Sequence, residues 1–167
     1  MMNIKFKAPF EFKPGIIVSL LERSYAEISS SDPKYWNQEK KKWTEFDQEV
    51  FRYPKTVGAC VFLTLSDDQL VGFGSYDNRP MPAFGLIGHN CILPNFRGKG
   101  FGKQQIIEIL NRFRSMAIKT AKASTCSHPF FVRAQRMYIS CGFIEINRRP
   151  WDMDYSQHII EYEKKVG

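Results

Sequence analysis

The stretch Leu93-Pro94-Asn95-Phe96-Arg97-Gly98-Lys99-Gly100-Phe101-Gly102-Lys103 limits this chain more than any other, because a strand must become a helix within it. Ala83 to Leu93 reads as a strand closed by Pro94. Beyond the glycines, Ile106, Leu110, Phe113 and Ala117 share one helical face, with Ile109 and Met116 beside it. At such a junction the unpaired N–H groups of a helix start and the positive end of its dipole converge, which suits a phosphate. Glycine lets the backbone approach the anion without a Cβ in the way, and Lys99 and Lys103 add charge.

Two familiar phosphate loops do not fit. A Walker A loop has four residues between its glycines and a hydroxyl after its lysine, whereas three separate Gly98 from Gly102, and Gln104 follows Lys103. The dinucleotide fingerprint G-x-G-x-x-G is not met either, since Gly98, Gly100 and Gly102 run G-x-G-x-G outside any repeating βαβ unit.

The rest of the chain supplies a mixed frame. Asn3 to Phe12 alternates loosely like a strand and ends at Lys13-Pro14-Gly15. Ile17, Leu20, Leu21 and Tyr25 predict a first helix, and Trp36, Trp43, Phe46, Val50 and Phe51 predict a second after Ser31-Asp32-Pro33. Gly58 to Leu65 and Leu70 to Tyr76 form a hairpin around Ser66-Asp67-Asp68-Gln69. Thr120 to Cys126 is a strand, Val132 to Ile139 a short helix stopped by Gly142, and Phe143 to Asn147 and His158 to Tyr162 are closing strands. Strands and helices interleave with no repeat or linker, so the expectation is one mixed α/β (α+β) domain over residues 1–167.

At 167 residues and 43% hydrophobic, such a domain can bury a proper core. The longest early apolar run, Ile16 to Leu21, is far short of the ~20 residues that span a bilayer, and no signal peptide pattern opens the chain, so we read it as cytoplasmic with no membrane partner. Cys60, Cys91, Cys126 and Cys141 have neither metal-ligand nor disulfide-framework spacing, and no metal is expected. The net charge of +7 favours polyanions without choosing among nucleic acid, membrane surface and a phosphorylated cofactor. Glu39-Lys40-Lys41-Lys42 reads as a solvated helix face.

The glycine segment resembles the acetyl-CoA signature of the GNAT acetyltransferases, [QR]-x-x-G-x-[GA], through Arg97, Gly100 and Gly102. Ala134-Gln135-Arg136-Met137-Tyr138-Ile139-Ser140-Cys141-Gly142-Phe143 resembles the family's second signature, A-x-x-x-Y-x-x-x-G-F. The resemblance covers Phe62 to Tyr162 well and the N-terminal third in outline. It implies a twisted, mostly antiparallel sheet of about six to seven strands flanked by about four helices. It also implies acetyl-CoA as acyl donor, with the pyrophosphate on the amides of Gly98, Lys99, Gly100, Phe101, Gly102 and Lys103 near Arg97, and the pantetheine arm along Cys91, Ile92 and Leu93. Where many relatives carry an asparagine that reaches the cofactor, this chain has Phe131.

By the same resemblance Tyr138 is the general acid, since a phenol with a pKa near ~10 stays protonated at neutral pH and can supply a departing thiolate with its proton. An aromatic with its hydroxyl satisfied locally is the alternative reading of that tyrosine. For the base, His89 is the one histidine or carboxylate from Ala83 to Leu93, one residue out of phase unless a bulge intervenes, with His128 and Asp152 as other candidates. Cys91 reads as a buried thiol rather than an acyl carrier.

The activity implied is acetyl transfer to an amine, small molecule or peptide. An acyl-CoA sensor without catalysis, and an acetyltransferase acting on an RNA-linked amine, stay open beside it. No nucleic-acid reading motif is present, so nucleic acid is not the expected partner, and a homodimer is compatible with the sequence. Tyr25, Tyr35, Trp36, Trp43 and Tyr53, together with Arg148 to Asp152, lie where this family selects its acceptor, while aromatics at helical spacing also read as core, so the acceptor stays unidentified.

Overall fold

A buried apolar strand organises the first part of the fold. Val61 to Leu65 has no polar alternation, as expected of a strand covered on both faces, and in the computed structural model, which describes residues 2–167, β2 (Val61–Ser66) is buried throughout. It lies between β1 (Ile4–Lys7) and β3 (Gln69–Asp77), antiparallel to both. Asp67 and Asp68 make the hairpin turn at φ 48° and 65°, a left-handed pair that Asp tolerates and that matches the twist of a two-residue loop. The predicted N-terminal strand is shorter than its pattern, because Pro9–Glu11 winds into a 3-10 turn.

The chain divides into two compact units, one comprising Met1–Ser75 and Asn90–Phe101, the other Tyr76–His89 and Gly102–Gly167. The first unit holds β1, β2, most of β3 and β5 (Cys91–Ile92), with α1 (Ile16–Ser24), the single turn α2 (Ala26–Ser29) and α3 (Pro33–Arg52). Asp32 starts α3 by accepting from the N–H of Tyr35 at 3.1 Å, and Pro33 follows at a position where its missing donor costs nothing. Tyr25, Trp36 and Trp43 pack ring on ring at 5.5 to 6.1 Å. The two indoles are buried, so they belong to the core rather than to an acceptor pocket. Lys41 and Lys42 are exposed on α3, as a solvated face requires.

The apolar stripe of α3 is interrupted by Asp47, which is only 3% exposed. Its carboxylate accepts from the N–H groups of Gly15, Ile17 and Val18 at 2.8, 2.9 and 3.2 Å and so caps α1 from another helix. These donors are the orphans of a helix start, and the charge complements the dipole. Asp47→Asn keeps the volume but turns an amide toward N–H donors. It is expected to cost about 2 kcal/mol, a fall in Tm of about 4–8 °C by thermal unfolding; an unchanged Tm would mean that α1 is held without this cap.

The second unit is built on β4 (Phe84–Ile87), β6 (Thr120–Cys126), β8 (Asp154–Lys165) and β7 (Ile144–Trp151), in that order, with the end of β3 beside β4. Only β4 and β6 run parallel. Phe113 of α4 (Phe101–Ser115) meets Tyr76 edge-on at 5.4 Å. Ala117, expected on the apolar face of that helix, instead lies beyond its end at φ 56°, where a left-handed residue stops the helix. β7 and β8 are longer than their apolar patterns, because Asn147 and Arg149 both reach Glu161 across the hairpin, at 2.8 and 3.4 Å. Among the described residues no helix is long and apolar enough to cross a membrane.

Among the described residues, eight strands and five helices exceed the expected six to seven and four for two local reasons. α2 adds a single turn, and Ala83 to Leu93 is two strands rather than one. β4 ends at Ile87, whose partner is Tyr76, and β5 starts at Cys91, whose partner is Phe73, with residues 88–90 in neither strand.

Candidate functional site

In the first unit the glycine segment is a left-handed turn held from behind. Gly98 and Gly100 have φ of 76° and 87° with a negative φ between them. That alternation turns successive N–H groups to one side and makes a concave anion receptor. The N–H groups of Gly98, Lys99 and Gly100 meet no acceptor among the described residues. A Cβ on Gly100 would touch nothing within 4 Å, so the glycine is required here by its left-handed φ and not by crowding.

The side chain of Arg97 fastens this turn to the fold. Its guanidinium donates to the carbonyl of Ile92 at 3.2 Å and to that of Ser24, at the end of α1, at 2.5 Å. The Lys99 ammonium lies 5.7 Å from the centre of the Phe96 ring. β5 is the edge strand of this sheet, pairing with β3 and with no other strand among the described residues. Cys91 is buried there, and burial pushes its thiol up to about 11. Such a thiol is protonated at neutral pH and is a poor nucleophile.

In the second unit α4 continues through Gly102 and Lys103, whose side chain is exposed. Tyr138, 3% exposed, lies on α5 (Val132–Ser140) with its ring against Phe143 at 5.5 Å and Tyr162 at 5.4 Å. The N–H of Phe143 donates to the carbonyl of Tyr138 and that of Gly142 to Ile139, with Gly142 at φ 84°. This is a Schellman helix stop, complete with its apolar contact between the residue after the glycine and the third from the end. The motif Y-x-x-x-G-F therefore has a structural reason for an aromatic at 138, for glycine at 142 and for Phe143. That reason extends to the ring of Tyr138.

His89 is exposed between β4 and β5, in neither strand. His128 is committed otherwise: its Nδ1 accepts from the N–H of Phe130 at 3.1 Å, and its ring meets Phe131 and Trp151. Asp152 is exposed at the β7–β8 turn.

The model of the acetyltransferase (GNAT) family matches residues 20–143. The chain belongs to the GNAT acetyltransferase family. No curated protein matches it. Its fold is shared with a protein assigned to the GNAT acetyltransferases from Desulfovibrio desulfuricans, over 100% of both chains at 15% identity and a TM-score of 0.77. It is also shared with an aminoglycoside 6'-N-acetyltransferase complexed with coenzyme A, over 99% of this chain and 97% of that one, at 13% identity and a TM-score of 0.70. A protein assigned as a streptothricin acetyltransferase from Bacillus anthracis, in complex with acetyl coenzyme A, covers 63% of this chain and 61% of its own, at 17% identity and a TM-score of 0.56. The last two are complexes with coenzyme A and acetyl coenzyme A, respectively.

Within the GNAT family, the departure at Phe131 acquires a local account: its ring sits edge-on to Trp151 at 6.2 Å and joins the His128 cluster, a packing role an asparagine would not fill. Sequence reading overlooks Asp47, whose partners lie about 30 residues away, and also Arg114 and Lys164, which belong to no motif.

Proposed function

We propose that the chain is a single N-acetyltransferase domain that binds acetyl-CoA at the turn Gly98 to Lys103 and along Cys91 to Leu93, and passes the acetyl group directly to an amine. The observation that carries this reading is the pair of left-handed glycines at the start of α4, with N–H groups that have no acceptor among the described residues, in a chain of the GNAT family. A diphosphate satisfies such donors with charge-assisted hydrogen bonds. The single-partnered edge of β5 offers main-chain groups to an extended amide-bearing arm, in the manner of strand addition.

Attack of a neutral amine on a thioester carbonyl carbon makes an oxyanion, and its collapse breaks the C–S bond. Tyr138 donates the phenolic proton to the departing sulfur, and its phenolate takes up the proton that the attacking nitrogen sheds as the amide forms; His89 accepts the earlier proton that an ammonium must lose before attack. Direct transfer agrees with the protonated state of Cys91. Four free thiols suit a reducing cytoplasm.

Release of CoA thiol is expected from acetyl-CoA only when an acceptor from a panel of amines, amino acids, polyamines, peptides and aminoglycosides is present. Tight acetyl-CoA binding with no amine-dependent release would make the protein a sensor. The aminoglycoside acetyltransferase among the structural neighbours is one reason to include that class.

The basic residues give a separate expectation. Lys42 pairs with Glu39, Arg148 with Glu145 and Arg149 with Glu161, so the charge outside the turn is partly neutralised locally. Affinity for tRNA in a filter-binding titration should be weak and should collapse with salt. Submicromolar binding at physiological salt, with no small amine acetylated, would move the acceptor to an RNA-linked amine.

A further inference from the structure

The second unit contains an open groove of about 280 Å³ along one flank of α4, hereafter the cavity. Lys103 and Arg114, eleven residues apart and so about 16 Å along the helix, mark its two ends. Ile107 and Leu110 form an apolar wall between them, and Cys141 and Lys164 close the other side. Neither Lys103 nor Lys164 has a hydrogen-bond or ion-pair partner among the described residues. Arg114 is aimed by two of its donors, to the carbonyl of Val166 at 3.1 Å and to Asn111 at 2.8 Å. No carboxylate is among the lining residues.

Lys103 and Lys164 face one space with no carboxylate among its lining residues, and an anion between them relieves their repulsion. The carboxyl end of α5 also lies here, but a helix end carries about half a negative charge against two positive ones. Lys103 and Lys164 both act on the Cys141 thiol and oppose the upward push of its burial, so both ammonium groups are within electrostatic reach of it. The length of the cavity and its apolar wall suit a ligand with a carbon skeleton rather than an inorganic ion.

We propose that this cavity binds an organic phosphomonoester, its phosphate between Lys103 and Lys164 over Cys141 and its carbon skeleton against Ile107 and Leu110. The phosphate has two sources: the terminal phosphomonoester of CoA, which rests on the acetyl-CoA reading above, or a free phosphorylated small molecule, which does not.

Cys141 is the reporter, because it is half-buried in the cavity while Cys60, Cys91 and Cys126 are buried. Its alkylation by neutral iodoacetamide, resolved by mass spectrometry, should slow about tenfold in saturating inorganic phosphate relative to chloride of equal ionic strength. Lys164→Gln should abolish that protection and Lys164→Arg should restore it. Protection by CoA but not by dephospho-CoA assigns the phosphate to the acyl donor; protection by inorganic phosphate alone assigns it to a free phosphomonoester. The proposal is overturned by no protection from either phosphate or CoA, by protection that survives in Lys164→Gln, or by equal protection from CoA and dephospho-CoA with none from phosphate. Calorimetry with CoA keeps the two readings apart: absent CoA affinity beside protection by inorganic phosphate ends the proposed function and leaves this site standing.

Discussion

Gly100→Val should lower the affinity for acetyl-CoA by about 100-fold or more while the protein still folds. At φ 87° a β-branched residue is forced either to bear strain of about 1–3 kcal/mol or to leave the left-handed region. Leaving it rotates the adjacent N–H groups away from the common side on which they converge, and each charge-assisted hydrogen bond lost is worth about 1.5–3 kcal/mol. The position is open, with nothing within 4 Å of the new Cβ, so the core has no reason to rearrange. Gly100→Asn, a residue that accepts left-handed φ, should retain most of the affinity. Isothermal calorimetry on folded variants checks both, and unchanged affinity in Gly100→Val would remove the turn from the donor site.

Tyr138→Phe should reduce turnover by about 10- to 1000-fold with affinity for CoA nearly unchanged. The structure makes this substitution unusually clean. The ring packs on Phe143 and Tyr162, and the backbone carbonyl of residue 138 takes part in the helix stop. Phenylalanine preserves both, so an effect on kcat isolates the hydroxyl. Equal loss of binding and turnover would make the hydroxyl a cofactor contact or a structural group.

Local patterns in the chain carried much of this architecture. Thr120 to Cys126 is a strand with the bounds its composition suggests, and the turn at Asp67-Asp68 follows from two residues that tolerate positive φ. The family signatures could be read because each encodes a backbone need: positive φ at the start of α4, and a helix stop at Gly142. What escaped depends on distant partners. Asp47 looks like a polar interruption in an apolar stripe until the start of α1 is laid against it. The break at residues 88 to 90 falls between two pairings with β3 that the strand itself does not show. The cavity over Cys141 gathers Lys103, Arg114 and Lys164 from α4 and β8, far apart in sequence.

Hydrogen exchange at the backbone of residues 98–102, with and without acetyl-CoA, tests the central claim most directly, because those amides are what the account assigns to the donor's pyrophosphate. Bound acetyl-CoA should slow exchange at Gly98, Lys99 and Gly100 by at least about tenfold, the equivalent of about 1.4 kcal/mol per site. Saturating acetyl-CoA that leaves exchange at these amides unchanged while protecting another segment would contradict it.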